Sequence, residues 1–170
     1  MTRFPFTPEF MEYVKELDVD LRELADGWVL VSGGGEIRDY LRRVSGVFVL
    51  TNAQRAEPEQ FVMSAPDILD VERYLTDDMG SSIRSRRHLW FVYTPRDEKD
   101  MAPGWTAVVD SDGNRHLSDP DGRARAVVYG RNATWFSWLA DVPLADIRNS
   151  YLDPNGAPLF VDERWHSVWK

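Results

Sequence analysis

Cysteine is absent from this 170-residue chain. That removes disulfides, thiolate metal sites and a cysteine nucleophile together. Histidine is scarce, and His88, His116 and His166 lie far apart, with none three or four residues from another. That spacing builds no helical metal pair. No apolar run approaches the length of a membrane span. The first stretch, MTRFPFTPEFMEYVKELDVD, lacks the basic segment and apolar core of a secretory leader. Positive charge is in deficit, 20 Lys and Arg against 28 Asp and Glu, for a net charge of −8. Such a surface repels nucleic acid and anionic lipid, and either suits a basic protein surface or serves solubility. The expectation is a cytoplasmic protein that binds neither nucleic acid nor membrane.

Large rings are plentiful: seven Trp, six Tyr and eight Phe, available to fill a core or cover a partner. Apolar residues make up 43% of the chain and charged residues 28%, an ordinary globular balance. The length suits a single domain over residues 1–170.

The first helix is signalled by Thr7 as cap, Pro8 at the first helical position and Glu9 at the positive helix end. Phe10, Tyr13, Val14 and Leu17 follow at helical spacing, with Leu21 and Leu24 continuing it. GWVLV (27–31), GVFVLT (46–51) and EQFVMS (59–64) read as strands, being β-branched and aromatic. EIRDYLRR between the first two fits a helical stripe but is short and glycine-bounded, which favours a strand of a meander. A second helix carries Ile68, Val71, Leu75 and Met79 on one face. Ser64 and Asp67 match a capping box at its start, and Gly80 supplies a left-handed stop. GWTAVVDSDGNRHLSD reads as strand, turn and strand, and ARAVVYG as another strand. Trp135, Trp138, Leu139 and Val142 predict one helix, and Leu144, Ile147 and Tyr151 another. DPNG (153–156) is a turn and APLFV a last short strand. The class is α+β, a single domain with a mainly antiparallel sheet packed by several helices.

Three stretches invite a chemical reading. VSGGGEIR offers Gly33 and Gly35, but the third glycine of a dinucleotide fingerprint is replaced by Arg38. A phosphate loop would need Lys before Ser or Thr, which is missing, and Glu36 would repel the anion. A flexible connection between strands explains the glycines, and bare backbone there can approach a partner closely. DSDGNRHLSDPD places Asp110, Asp112, Asn114 and Asp121 at calcium-loop spacing, yet Arg115 stands where the sharp-turn glycine belongs. Asp112-Gly113 instead marks a hairpin. Arg84, Arg86 and Arg87 are concentrated in SSIRSRRHLW. They are expected to pair internally with Asp77, Asp78 and Glu72, or to hold a carboxylate ligand.

Several stretches taken in order resemble a known family. They are GGEIRDYLRRVSGVFVLTNAQR (34–55), VERYLTDDMGSSIRSRRHL (71–89) and SYLDPNGAPLF (150–160). The shared features are Gly34-Gly35-Glu36 with Arg38, Gly46 before an aromatic strand, Tyr74-Leu75, Gly80 and Arg84-Ser85. Leu152-Asp153 with Gly156 and Pro158-Leu159-Phe160 complete the set. The combination is similar to the immunity-protein family that includes the immunity factor for the tuberculosis necrotizing toxin. The resemblance implies a non-enzymatic antitoxin without cofactor or metal. It implies a cognate toxin domain as partner, an NAD glycohydrolase whose active site is occluded by a monomer that forms a heterodimer.

An NAD site favours an anionic or backbone-rich plug. The expected partner-binding residues are therefore Ser32, Gly33, Gly34, Gly35 and Glu36, with Asp77, Asp110 and Asp112 as acidic contacts. Two readings stand beside this one. The first is an enzyme or small-ligand domain in which Arg84, Arg86, histidines and carboxylates converge on a pocket. The second is a structural module of a larger assembly, marked by an exposed aromatic patch.

Overall fold

The computed structural model describes residues 4–92 and 98–160. Its elements in chain order are α1 (Pro8–Glu16), β1 (Asp20–Leu24), β2 (Gly27–Ser32), β3 (Ile37–Val44), β4 (Val47–Gln54) and β5 (Gln60–Ala65). After these come α2 (Ile68–Arg86), β6 (Thr106–Val109), β7 (Asn114–Ser118), β8 (Ala124–Tyr129), α3 (Asn132–Leu139) and α4 (Leu144–Leu152). The strands form one eight-stranded sheet in the order β1-β2-β3-β4-β5-β8-β7-β6. Every pairing is antiparallel, so the architecture is α+β.

Alternation along the strands puts a row of apolar residues on one face. Leu41 pairs with Leu50, Leu50 with Met63 and Met63 with Val128, and all four are completely buried. Phe10 and Val14 of α1, Val71 and Leu75 of α2, Phe136 and Leu139 of α3 and Ile147 of α4 join the same core. Burying a large side chain of this kind contributes about 1.5–3 kcal/mol, so this row dominates the stability of the sheet.

Two polar clamps register the helices on that core. Thr7 caps α1 by accepting from the Phe10 amide at 3.2 Å. Glu72 of α2, fully buried, accepts from the Thr7 amide at 2.5 Å and the Thr7 hydroxyl at 2.8 Å. Asp70, also fully buried, accepts from Arg125 Nε of β8 at 2.6 Å and from Arg73 at 3.0 Å. A buried carboxylate holds its charge only with such partners, so α2 cannot slide along the sheet without exposing one.

The structure corrects the expected elements in five places. Leu21 and Leu24 do not extend α1. Asp18 turns left-handed (φ 56°), the helix ends, and both leucines enter the edge strand β1. Asp67, not a Ser64–Asp67 box, caps α2 by accepting from the Leu69 amide at 3.0 Å, while Ser64 belongs to β5. Gly80 does not stop α2, which runs on to Arg86 before His88 turns left-handed. A Cβ at Gly80 would overlap the Tyr151 ring, so this glycine permits close packing of α4 on α2. Residues 157–160 of the expected last strand form a turn, and residue 161 lies outside the described residues. Finally, Arg84 pairs with main-chain carbonyls rather than with acids. EIRDYLRR, by contrast, is the meander strand β3.

Candidate partner-binding site

Antiparallel order brings several connections to one end of the sheet. β2 ends and β3 starts there, β4 ends and β5 starts, β8 ends, and the β6–β7 hairpin turns. The Gly33–Gly35 loop therefore shares this end with Asp110 and Asp112. Four strand spacings separate β3 from β7, roughly 19 Å at ~4.8 Å each.

In the β2–β3 loop Gly33, Gly34 and Gly35 form a 3-10 turn with φ of 58°, 68° and 97°. A Cβ at Gly34 or Gly35 would meet nothing, so the left-handed backbone rather than crowding calls for glycine. The loop is braced from behind. Arg38 donates to the Gly35 carbonyl at 3.5 Å and to the Arg55 carbonyl, and the Arg55 amide donates to the Glu36 carbonyl at 2.7 Å. Gly33, Gly34 and Glu36 are exposed, and Ser32 is half-buried at the end of β2. The result is a held loop that presents bare backbone and one carboxylate.

The β6–β7 hairpin turns on Asp110. Its Oδ1 accepts from the Asp112 and Asn114 amides, each at 2.9 Å. Its Oδ2 accepts from Asn114 Nδ2 at 3.1 Å and meets His116 Nε2 at 3.0 Å. His116 and Asn114 hold this carboxyl down at about 2. Asp110 is thus committed to the turn, whereas Asp112 is exposed beside it.

Asp77 is elsewhere. It is 8% exposed on α2 and accepts from the Tyr151 hydroxyl at 2.5 Å. Asp77, Ser81 and Arg84, with Asp78, share one face of α2 at helical spacing and line a cavity of about 130 Å³. Asn132 and Trp135 of α3, Tyr151 of α4, and Phe91 and Val92 complete the lining. The charges of Asp77 and Asp78 reach the phenols around them. Burial and then the charge of Asp77 push the Tyr13 and Tyr151 phenols up, and burial followed by Asp78 does the same to Tyr74. Asp39 of β3, opposite Asn52 in the ladder, is lifted to about 7 by burial, and Asp78 adds to the shift.

Arg84 gives the wall no free cation to offer. Its guanidinium donates to the Trp90 carbonyl (2.5 Å), to Ser150 (3.3 Å), Tyr151 (3.2 Å) and Asp153 (2.7 Å), and to Pro154 (3.0 Å). It ties the end of α2 to the end of α4. Arg86 and Arg87 are exposed, His88 is exposed, and His166 lies outside the described residues. The convergence of arginines and histidines expected of a catalytic pocket is not assembled among the described residues. Sequence reasoning missed Trp90 and Phe91, which are 87% and 67% exposed beside the cavity. An aromatic pair next to a helix end carries no pattern that distinguishes a surface patch from core.

Comparison with known proteins agrees with this architecture. A solved structure, Rv3902c from M. tuberculosis, superposes with a TM-score of 0.84 at 22% identity, covering 94% of this chain and 97% of that one. The immunity factor for TNT of Mycobacterium tuberculosis is 28% identical over 145 residues, 84% of this chain and 79% of the relative. Its homolog in Mycobacterium bovis matches to the same extent. Among the described residues no helix is long and apolar enough to cross a membrane. The model of the family described as Immunity protein 61 matches residues 14–159, from the last turn of α1 past the end of α4. With the sheet, its loop end and α2 to α4 all inside that match, the chain belongs to the Immunity protein 61 family.

Proposed function

We propose that this immunity protein is an antitoxin that sits over the active site of a cognate toxin domain and excludes its substrate, the toxin being an NAD glycohydrolase. The single observation that carries the reading is the family match over residues 14–159. The loop end supplies the physical means. Ser32, Gly33, Gly34, Gly35 and Glu36 form a held, protruding loop, and Asp112 adds charge on the same end of the sheet. A cleft built for a pyrophosphate is cationic, and a protein of net charge −8 is drawn to it. Asp77 and Asp110 act differently in this scheme, Asp110 by shaping the hairpin and Asp77 from inside the α2 cavity.

In this reading the protein turns over no substrate and needs no cofactor. It works in the cytoplasm as a monomer that forms a heterodimer with the toxin, and it binds neither nucleic acid nor membrane. The test mixes the protein with a candidate cognate toxin domain of NAD glycohydrolase activity and follows NAD consumption. Stoichiometric protein should abolish the activity, with association slowing as salt is raised. Undiminished NAD consumption in a large excess of protein at low salt overturns the proposal.

A further inference from the structure

The chain where α2 ends carries an inference of its own. We infer that it docks an acidic segment of the toxin, with an apolar side chain of that segment seated on Trp90 and Phe91; that the segment belongs to a toxin rests on the function proposed above. Arg86, Arg87 and His88 are exposed in succession, and Trp90 and Phe91 follow at 87% and 67% exposure. Among the described residues Arg86 and Arg87 meet no carboxylate, whereas the exposed Arg22, Arg55 and Arg123 each reach one. Cations suit the negative end of a helix, which accounts for the two arginines as a matter of stability. It does not account for two large rings left in water beside them, in a protein of net charge −8.

The mount is fixed through the main chain. His88 turns left-handed (φ 56°), and its amide donates to the Ser85 carbonyl at 3.1 Å. The Leu89 amide donates to the Arg84 carbonyl at 2.9 Å, and Arg84 Nε donates to the Trp90 carbonyl at 2.5 Å. The rings are thus presented on ordered backbone, which lowers the entropy lost on binding. Trp and Arg are also the residue types that concentrate binding energy in protein interfaces.

Position joins this patch to the loop end. β5 starts at that end and runs away from it, and α2 follows directly after Pro66 and Asp67 and returns. The charge of Asp78 on α2 bears on Asp39, close to the start of β3, and the helix continues to Arg86 roughly 12 Å further at ~1.5 Å per residue. Both signs of charge therefore stand at one end of the molecule, Glu36 and Asp112 from the sheet and Arg86 and Arg87 from the helix. A uniformly anionic bilayer laid on that end would meet the carboxylates, whereas a protein can match each sign in turn. A second copy fits poorly too, because a two-fold contact sets Arg86 and Arg87 against their own counterparts.

The decisive experiment has two arms. In the first, the free protein is titrated with an acetylated hexapeptide of alternating glutamate and leucine, and separately with its lysine–leucine counterpart, and NMR follows the backbone amides and indole N–H groups. Shifts centred on the Trp90 indole and the Arg86 and Arg87 amides with the acidic peptide alone, and lost in Arg86→Glu, are expected. In the second, affinity for the toxin domain is measured for Arg86→Glu, which reverses a charge, and Trp90→Ala, which removes a ring without changing charge. Both side chains are exposed and Trp90 gives the fold only its carbonyl, so folding is retained. Each variant should weaken binding roughly 30-fold or more. Arg123→Glu, with the same change in net charge but in the β7–β8 turn at the other end of the sheet, should stay within a few-fold of wild type. An unmoved Trp90 indole, or wild-type affinity in both Arg86→Glu and Trp90→Ala, overturns the proposal. Binding to phosphatidylserine vesicles, or self-association in sedimentation equilibrium, overturns it as well if Trp90→Ala abolishes it, since the patch would then serve a lipid surface or a second copy. Failure of the wild-type chain to bind the toxin at all instead sinks the function proposed above, and the peptide arm still decides the patch.

Discussion

Replacing Asp39 by Asn should make the protein more stable, and only above a particular pH. Asp39 is 5% exposed on the core face of β3 and accepts one hydrogen bond, from Asn52 Nδ2 at 2.6 Å. Burial raises its carboxyl from 3.8 to about 7, against the opposing effect of that bond. Because the folded value exceeds the unfolded one, the native state binds the extra proton between those limits. Stability is therefore intact below about pH 4, falls as pH rises, and reaches its full loss above about pH 7. A shift of roughly three units corresponds to about 4 kcal/mol at the upper end. Asn keeps the acceptor for Asn52 but introduces an amide donor, which costs about 1 kcal/mol if it finds no partner. The net expectation is that Asp39→Asn is about 3 kcal/mol more stable than wild type near pH 8 and equal or slightly less stable near pH 4. Urea unfolding followed by Trp fluorescence at several pH values measures this, and the difference between the two proteins isolates one group from the rest. A difference that stays flat with pH would refute the reasoning, because the carboxyl would then titrate alike in both states.

Other perturbations probe the scaffold. Gly80→Ala pushes a methyl into the Tyr151 ring and should destabilise by about 1–3 kcal/mol in chemical denaturation, although alanine is the better helix former. Arg84→Lys should fare nearly as badly as Arg84→Ala, losing about 3 kcal/mol or more, since one ammonium cannot reach carbonyls on both Trp90 and Pro154. A lysine that restored wild-type melting would contradict the fork geometry. Gly34→Ala strains a left-handed residue (φ 68°) in open space, so about 1 kcal/mol of stability is lost and the fold survives. Its affinity for the toxin, measured by calorimetry, should fall far more than its stability.

Much of the sheet was legible because its signals are local. Val29, Leu30, Phe48 and Leu50 sit in short β-branched or aromatic runs, and Asp112-Gly113 turns the hairpin within four residues. The same locality failed at β1, where DLREL carries leucines at helical spacing but pairs with β2 as an edge strand. Pairing partners, not propensity, decide such a segment. Arg84 illustrates a longer-range blindness. Its acceptors on α4 and the following turn are 66 to 70 residues away, and main-chain carbonyls carry no sequence identity to match. Asp77 was singled out as an acid, but its burial follows from the close approach of α4 that Gly80 allows, which no spacing rule contains.

The residues that carry the family resemblance now have physical assignments, and most of them are internal. Arg38 braces the glycine loop from behind, Gly80 admits the Tyr151 ring, and Arg84 ties α2 to the end of α4. Gly156 turns left-handed (φ 84°) where a Cβ would press on Phe160 and Val92. Phe160 in turn meets the Tyr151 ring edge-on, with centroids 4.9 Å apart. These residues fix where the loop end and the α2 cavity stand, and they are spent in doing so. Under the function proposed above, selectivity for one toxin over another would rest on exposed side chains outside this frame, such as Trp90 and Phe91 and Asp112 on the hairpin. A shared frame with a variable rim is the division of labour expected when one fold must recognise different partners, because a change at the rim alters the fit without unseating the core.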